Sequence, residues 1–154
     1  MVEEMAGFKG KYEHSVDDKG RVSLPSKVRK NLSPEAMDSF VVTRGYESSL
    51  DLYPMDVWNQ LEEKLRSQLN VHREQDRLFI RTLMMWAQEV VLDKQSRIML
   101  PQDLMEIAGI STQIVIIGAL EKIELWSPAN FRQYHERYAD QSYEDVAARV
   151  MGGM

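Results

Sequence analysis

The stretch "YEHSVDDKGRVSLPSKVRK", Tyr12 to Lys30, decides how the rest of the chain is read. Two β-compatible runs flank "DDKG", whose Gly20 can take the left-handed backbone that a tight hairpin needs. Pro25 ends the second run and opens "SKVRKNL", a short helix. Asp17 can accept hydrogen bonds from the turn amides and pair with Arg21 across the hairpin neck. That steadies the guanidinium stem and leaves its outer donors free, an arrangement suited to bidentate contact with a phosphate or a guanine edge. As an isolated surface salt bridge, the same pair would contribute only about 0–1 kcal/mol. Composition favours the larger role. From Lys9 to Lys30 seven cations face three carboxylates, a local +4 in a chain whose net charge is -5. Lys19 at the turn tip, and Lys27, Arg29 and Lys30 after it, can converge on the side of Arg21.

The pattern returns. Asp17-x-x-x-Arg21-x-x-Leu24-Pro25 recurs 76 residues later as Asp93-x-x-x-Arg97-x-x-Leu100-Pro101, within "VVLDKQSRIMLPQDL". Downstream, "FVVTRGYESSLDLYP" (Phe40–Pro54) parallels "IVIIGALEKIELWSP" (Ile114–Pro128), with Gly45 matching Gly118 and Tyr53 matching Trp126. Two matched blocks in one order make the chain a tandem repeat. Each unit reads as strand, turn, strand, short helix and strand pair. Between the units, "MDVWNQLEEKLRSQL" and "REQDRLFIRTLMMWAQ" carry apolar residues at helical spacing, Trp58, Leu61, Leu65 and Leu69 in the first. Ser127-Pro128 caps a further helix, and Ser142 opens a last one.

Bulk properties narrow the function. With 154 residues, 44% of them hydrophobic and 28% charged, the chain can form one ordinary domain or two very small ones. No apolar run approaches the roughly 20 residues of a membrane span. The first ten residues lack the basic and apolar regions of a signal peptide, so the expected location is cytoplasmic. Cysteine is absent, which excludes disulfides and thiolate metal sites. His14, His72 and His135 are scattered without ligand spacing, and no phosphate loop or nucleophile motif occurs. The chain therefore reads as a protein without catalytic residues, metal, cofactor or small-molecule ligand.

The quoted segment resembles the looped-hinge, swapped-hairpin DNA-binding domain of the AbrB and SpoVT type. Two copies, the helical insert and the "IELWSP" ending are similar to the MraZ family. That resemblance implies an α+β fold in which two swapped-hairpin AbrB-like repeats form a pseudo-dimeric β-barrel flanked by helices. It sets the first repeat at 8–54, the insert at 55–86, the second repeat at 87–128, and C-terminal helices and tail at 129–154. It also implies a nucleoid-associated regulator of the division and cell-wall genes. Such a protein would bind double-stranded promoter DNA at repeated elements as a ring of identical subunits. Arg21 and Arg97 stand at the signature arginine, Arg29 and Lys30 at a basic pair used on DNA, and His14 at another basic position.

The repeats differ in ways that matter. Ser96 stands where Gly20 does, so the second turn either takes another geometry or strains its backbone. Gln102, Asp103 and Glu106 replace the basic segment, leaving Arg97 and Lys94 as that repeat's only candidates for DNA. The expectation is that the first repeat leads DNA contact, with Asp17, Gly20 and Asp93 shaping the turns. An antitoxin-like or purely structural oligomer is the rival, with "QYHERYADQSYEDVAARVMGG" as a partner-binding tail, although that segment reads as amphipathic helix. Methionines and the three tryptophans read as packing residues in a core or subunit seam.

Overall fold

A computed structural model describes residues 7–153; the N-terminal stretch read for targeting signals lies largely outside them, as does the final Met154 of the tail. The first repeat contains β1 (Lys11–Ser15), β2 (Arg21–Ser23), α1 (Ser26–Lys30), a 3-10 turn (Pro34–Ala36), β3 (Ser39–Arg44) and β4 (Leu50–Pro54). The insert is α2 (Met55–Gln68) and α3 (Glu74–Trp86). The second repeat gives β5 (Gln88–Val91), β6 (Arg97–Met99), α4 (Gln102–Ala108), β7 (Gln113–Ala119) and β8 (Lys122–Trp126). Two helices follow, α5 (Pro128–Arg137) and α6 (Tyr143–Met151). Their caps are those the sequence marks: Ser127 Oγ accepts from the Asn130 amide, and Ser142 Oγ from that of Asp145, each at 3.0 Å. Ser33 caps the 3-10 turn, its Oγ accepting from the Glu35 amide at 3.2 Å.

The strands form an antiparallel sheet in the order β1-β7-β8-β4-β3-β5 and a separate two-stranded ribbon, β2-β6. Each repeat lends its leading strand to the other. β1 runs along β7, pairing Lys11 with Ile117, while β5 runs along β3, pairing Ser39 with Val91. The closed β-barrel expected from the resemblance is not present; the sheet is open, with β1 and β5 at its edges. The hairpins' second strands are too short to close it. β2 and β6 span three residues each, pair with one another, and stop before Pro25 and Pro101, which have no amide to extend a ladder.

Strand alternation gives the sheet two different faces. One carries Phe40, Val42, Leu50, Leu52, Ile114, Ile116, Ile123 and Leu125, packed in a single cluster with Val22 and Ile98 of the ribbon, Val28 of α1 and Leu104 of α4. Burying each such side chain contributes about 1.5–3 kcal/mol. The opposite face carries the helices. Thr43 Oγ1 donates to the Leu83 carbonyl of α3, Tyr53 meets Trp58 of α2 with ring centres 5.5 Å apart, and Trp126 meets Phe131 of α5 at 5.6 Å. On the same face of the sheet a buried carboxylate, Asp51, accepts from Lys122 Nζ at 3.0 Å and ties β4 to β8 across the two repeats. The ribbon with its two short helices, and the long helices, thus lie on opposite sides of the sheet.

One glycine is required by close approach. A Cβ on Gly118 would fall 2.2 Å from the Lys9 backbone nitrogen, where the segment before β1 crosses β7.

Candidate nucleic-acid interface

Both Asp-x-x-x-Arg segments close the same turn. Asp17 Oδ1 accepts from the amides of Lys19 at 3.0 Å and Arg21 at 2.8 Å, and Oδ2 accepts from Arg21 Nε at 2.7 Å. In the second repeat Asp93 accepts from the amides of Gln95 at 2.8 Å and Arg97 at 3.0 Å, and from Arg97 Nε at 2.9 Å. These bonds favour the ionised form. The Arg21 amide is the largest influence holding the Asp17 carboxyl below its ordinary range, and the Arg97 amide does the same for Asp93. Each arginine commits its Nε to the carboxylate. No hydrogen bond to a described residue occupies the terminal nitrogens of either fork.

Ser96 keeps the glycine geometry and bears the strain. Its φ is 61°, against 82° for Gly20, and Ser96 N donates to the Asp93 carbonyl as Gly20 N does to that of Asp17. A left-handed non-glycine residue costs roughly 1–2 kcal/mol. Gly20 has less latitude, since a Cβ there would lie 3.0 Å from the Leu100 carbonyl oxygen and 3.2 Å from Met105 Sδ.

The ribbon brings the two arginines together. Arg21 pairs with Met99 and Ser23 with Arg97, while the central pair Val22–Ile98 is buried. Arg21, Ser23, Arg97 and Met99 therefore share the outward side, with the arginines on a diagonal where neighbours lie roughly 7–8 Å apart. Ser23 and Met99 were missed in the sequence, although alternation about the buried valine and isoleucine would have found them. Met99 is 54% exposed, so this methionine is not a core residue.

The short helices cross over. The Leu24 amide donates to the Ser96 carbonyl, which starts α1 beside the second repeat's turn; Arg29 Nε then donates to the Leu24 carbonyl at 3.3 Å. Symmetrically, the Leu100 amide donates to the Gly20 carbonyl, and Met105 of α4 abuts Gly20. Val28 anchors α1 and Leu104 anchors α4, but the outward residues differ in sign: Lys27 and Lys30 correspond to Asp103 and Glu106, 76 residues on. In space, the turn of Arg97 with α1 gathers Lys27, Arg29, Lys30, Lys94 and Arg97 against Asp93, a net +4. The turn of Arg21 with α4 holds Lys19 and Arg21 against Asp17, Asp18, Asp103 and Glu106, a net -2. The basic end of the ribbon is built from both repeats. His14 lies at this end too: its Nδ1 donates to the carbonyl of Ser23, the partner of Arg97, at 2.6 Å and leaves Nε2 as the outer nitrogen.

Comparison with known proteins identifies the family. The family described as "MraZ protein, putative antitoxin-like" matches twice, over residues 8–82 and 83–152. A protein of Halothermothrix orenii named "Transcriptional regulator MraZ" is 42% identical over 143 residues, covering 93% of this chain and 96% of the relative. Proteins of the same name from Natranaerobius thermophilus and Clostridium tetani are 40% and 39% identical, again over 96% of their lengths.

Proposed function

Because the chain belongs to the MraZ family, we propose that it is a transcriptional regulator that binds double-stranded promoter DNA through the outward side of the β2–β6 ribbon. The placing of Arg21 and Arg97 on one diagonal of that side, each steadied by its own aspartate with terminal donors open, carries the reading. Guanidinium forks held this way can address phosphates or guanine edges without first losing side-chain freedom. Lys19 and Lys94 at the turn tips, and Lys27, Arg29, Lys30 and His14 at the Arg97 end, supply cations for the flanking backbone. The exchange of leading strands supports the swapped-hairpin reading, with the two repeats acting as a pseudo-dimer in one chain. The repeats at 8–54 and 87–128 would form the DNA module, and the segments at 55–86 and 129–154 the assembly module. Repeated promoter elements would be met by a ring of subunits, whose avidity can exceed single-site affinity by about 10²–10⁴. The MraZ resemblance adds to this reading a nucleoid location and control of division genes.

Fluorescence anisotropy tests it, with a labelled duplex from upstream of the protein's own gene beside a scrambled duplex at fixed salt. Wild type is expected to prefer the promoter duplex. Arg21→Ala and Arg97→Ala should each cost about 1–3 kcal/mol, a loss shared between the two turns. Equal binding to both duplexes by the wild type would remove the claim of sequence preference. Undiminished binding by both variants would remove the ribbon from the interface.

A further inference from the structure

One residue on the outward side of the ribbon has no part in its charge pattern. Met99 is 54% exposed, and its counterpart 76 residues earlier is Ser23. Single apolar residues on a protein surface are common and need no partner. Position sets this one apart. The register pairs Met99 directly with Arg21, about 5 Å away, and Arg97 precedes it by two residues on the same strand, about 7 Å away. Met99 is therefore the neighbour of both arginine forks, with a side chain that has no charge to offer a phosphate. The fourth corner of the same side is different. Ser23 is polar, and its hydroxyl lies 3.4 Å from His14 Nδ1. The two arginines are equivalent under the repeat, whereas Ser23 and Met99 are chemically unlike.

We infer that Met99 is a base-reading residue that takes the C5-methyl group of a thymine in the major groove. The assignment rests on the proposed DNA-binding role of the ribbon, and it names a base that the arginine forks do not select. Groove chemistry leaves one match. A two-stranded ribbon fits the major groove, where all four bases present hydrogen-bonding atoms and only thymine adds an apolar group. Methionine offers no donor and only a weak acceptor sulfur, on an unbranched, polarizable chain that adapts to the surface it meets. Spacing agrees with this choice. Bases on one strand are about 3.4 Å apart along the helix axis, so Met99 stands roughly one to two steps from the positions addressed by Arg21 and Arg97. An arginine on a guanine edge and Met99 on a nearby thymine methyl can therefore be engaged in one docking of the ribbon. At the other corner the Ser23 hydroxyl offers a hydrogen bond instead, so the methyl contact belongs to the Arg21–Met99 pair.

Anisotropy with two promoter duplexes of one sequence tests it, the first made with thymine and the second with deoxyuridine at every thymine position. Deoxyuridine pairs as thymine does and lacks only the C5-methyl. At fixed salt the full chain should bind the uracil duplex roughly three- to fivefold more weakly, the loss that goes with one buried methyl group. Met99→Ala and Met99→Gln should lose most of that preference, and Met99→Leu should keep it. Any effect of uracil on DNA shape is common to all four proteins, so the difference between their thymine-to-uracil ratios isolates Met99. Because Met99 is exposed, urea midpoints of the three variants should match wild type. Equal binding of both duplexes by the wild type overturns the role of Met99. So does a preference that persists undiminished in Met99→Ala and Met99→Gln, which would place the methyl contact elsewhere. Either result leaves the ribbon reading standing, whereas a wild type that binds neither duplex overturns both.

Discussion

The two turns are nearly the same object, and the two helices beside them are opposites. Five hydrogen bonds of the Asp17 turn recur one for one in the Asp93 turn, including the Nε contact that orients each arginine. Yet α1 presents Lys27 and Lys30 where α4 presents Asp103 and Glu106. Turn geometry and field strength have been separated in this chain. The arginine fork is retained twice, while the surrounding charge is concentrated at one end.

That separation can be broken by experiment. The largest effect is expected from charge reversal. Lys27→Glu with Lys30→Glu should weaken promoter binding roughly a hundredfold or more at moderate salt, because repulsion replaces attraction at the basic end. Asp103→Lys with Glu106→Lys should strengthen binding and steepen its salt dependence, as a plot of log affinity against log salt would show. If the first pair changes nothing, the field around Arg97 is irrelevant to binding.

Turn chemistry comes next. Gly20→Ala should cost about 1–3 kcal/mol in urea unfolding, from left-handed strain together with crowding against the Leu100 carbonyl. Ser96→Gly should stabilise the fold by at most about 1 kcal/mol, since relieved strain is partly offset by the greater freedom of the unfolded chain. Opposite signs at equivalent positions would show that one geometry is held at both ends.

The smallest effect is the acid response. The folded-state values of Asp17 and Asp93 lie below the ordinary 3.8, so the stability they contribute is complete above about pH 4. It is lost as pH falls through the lowered folded values. Asp17→Asn and Asp93→Asn should flatten that acid limb to a similar degree, measured as urea midpoints between about pH 2 and 5. A difference between them would mean that the turns are not equivalent.

Much of this was legible in the chain. The 76-residue offset, the Leu-Pro stops and the position of Gly20 give both turns, and helical spacing around Trp58 gives the insert. Local pattern could not say which repeat a strand or helix would join. β1 and β5 are equivalent by sequence, and their exchange is decided by long-range pairing with β7 and β3. For that reason the basic residues of α1 read as belonging to Arg21, although the Leu24–Ser96 hydrogen bond delivers them to Arg97. The open sheet was hidden similarly, because closure depends on the reach of β2 and β6. Met99 and Met151 read as packing residues, and hydrophobicity alone does not tell a core position from a waiting surface.

The exchanged strands also have a consequence in time. Lys11 emerges from the ribosome roughly a hundred residues before its partner Ile117. At about 5–20 residues per second, β1 spends on the order of 5–20 s as an unpaired strand. The first repeat cannot finish folding before the second is made, so its exposed edges must stay unpaired on a polysome crowded with identical nascent chains. The same strand exchange that builds the binding face from both halves makes synthesis the interval when the chain is most open to pairing with the wrong copy.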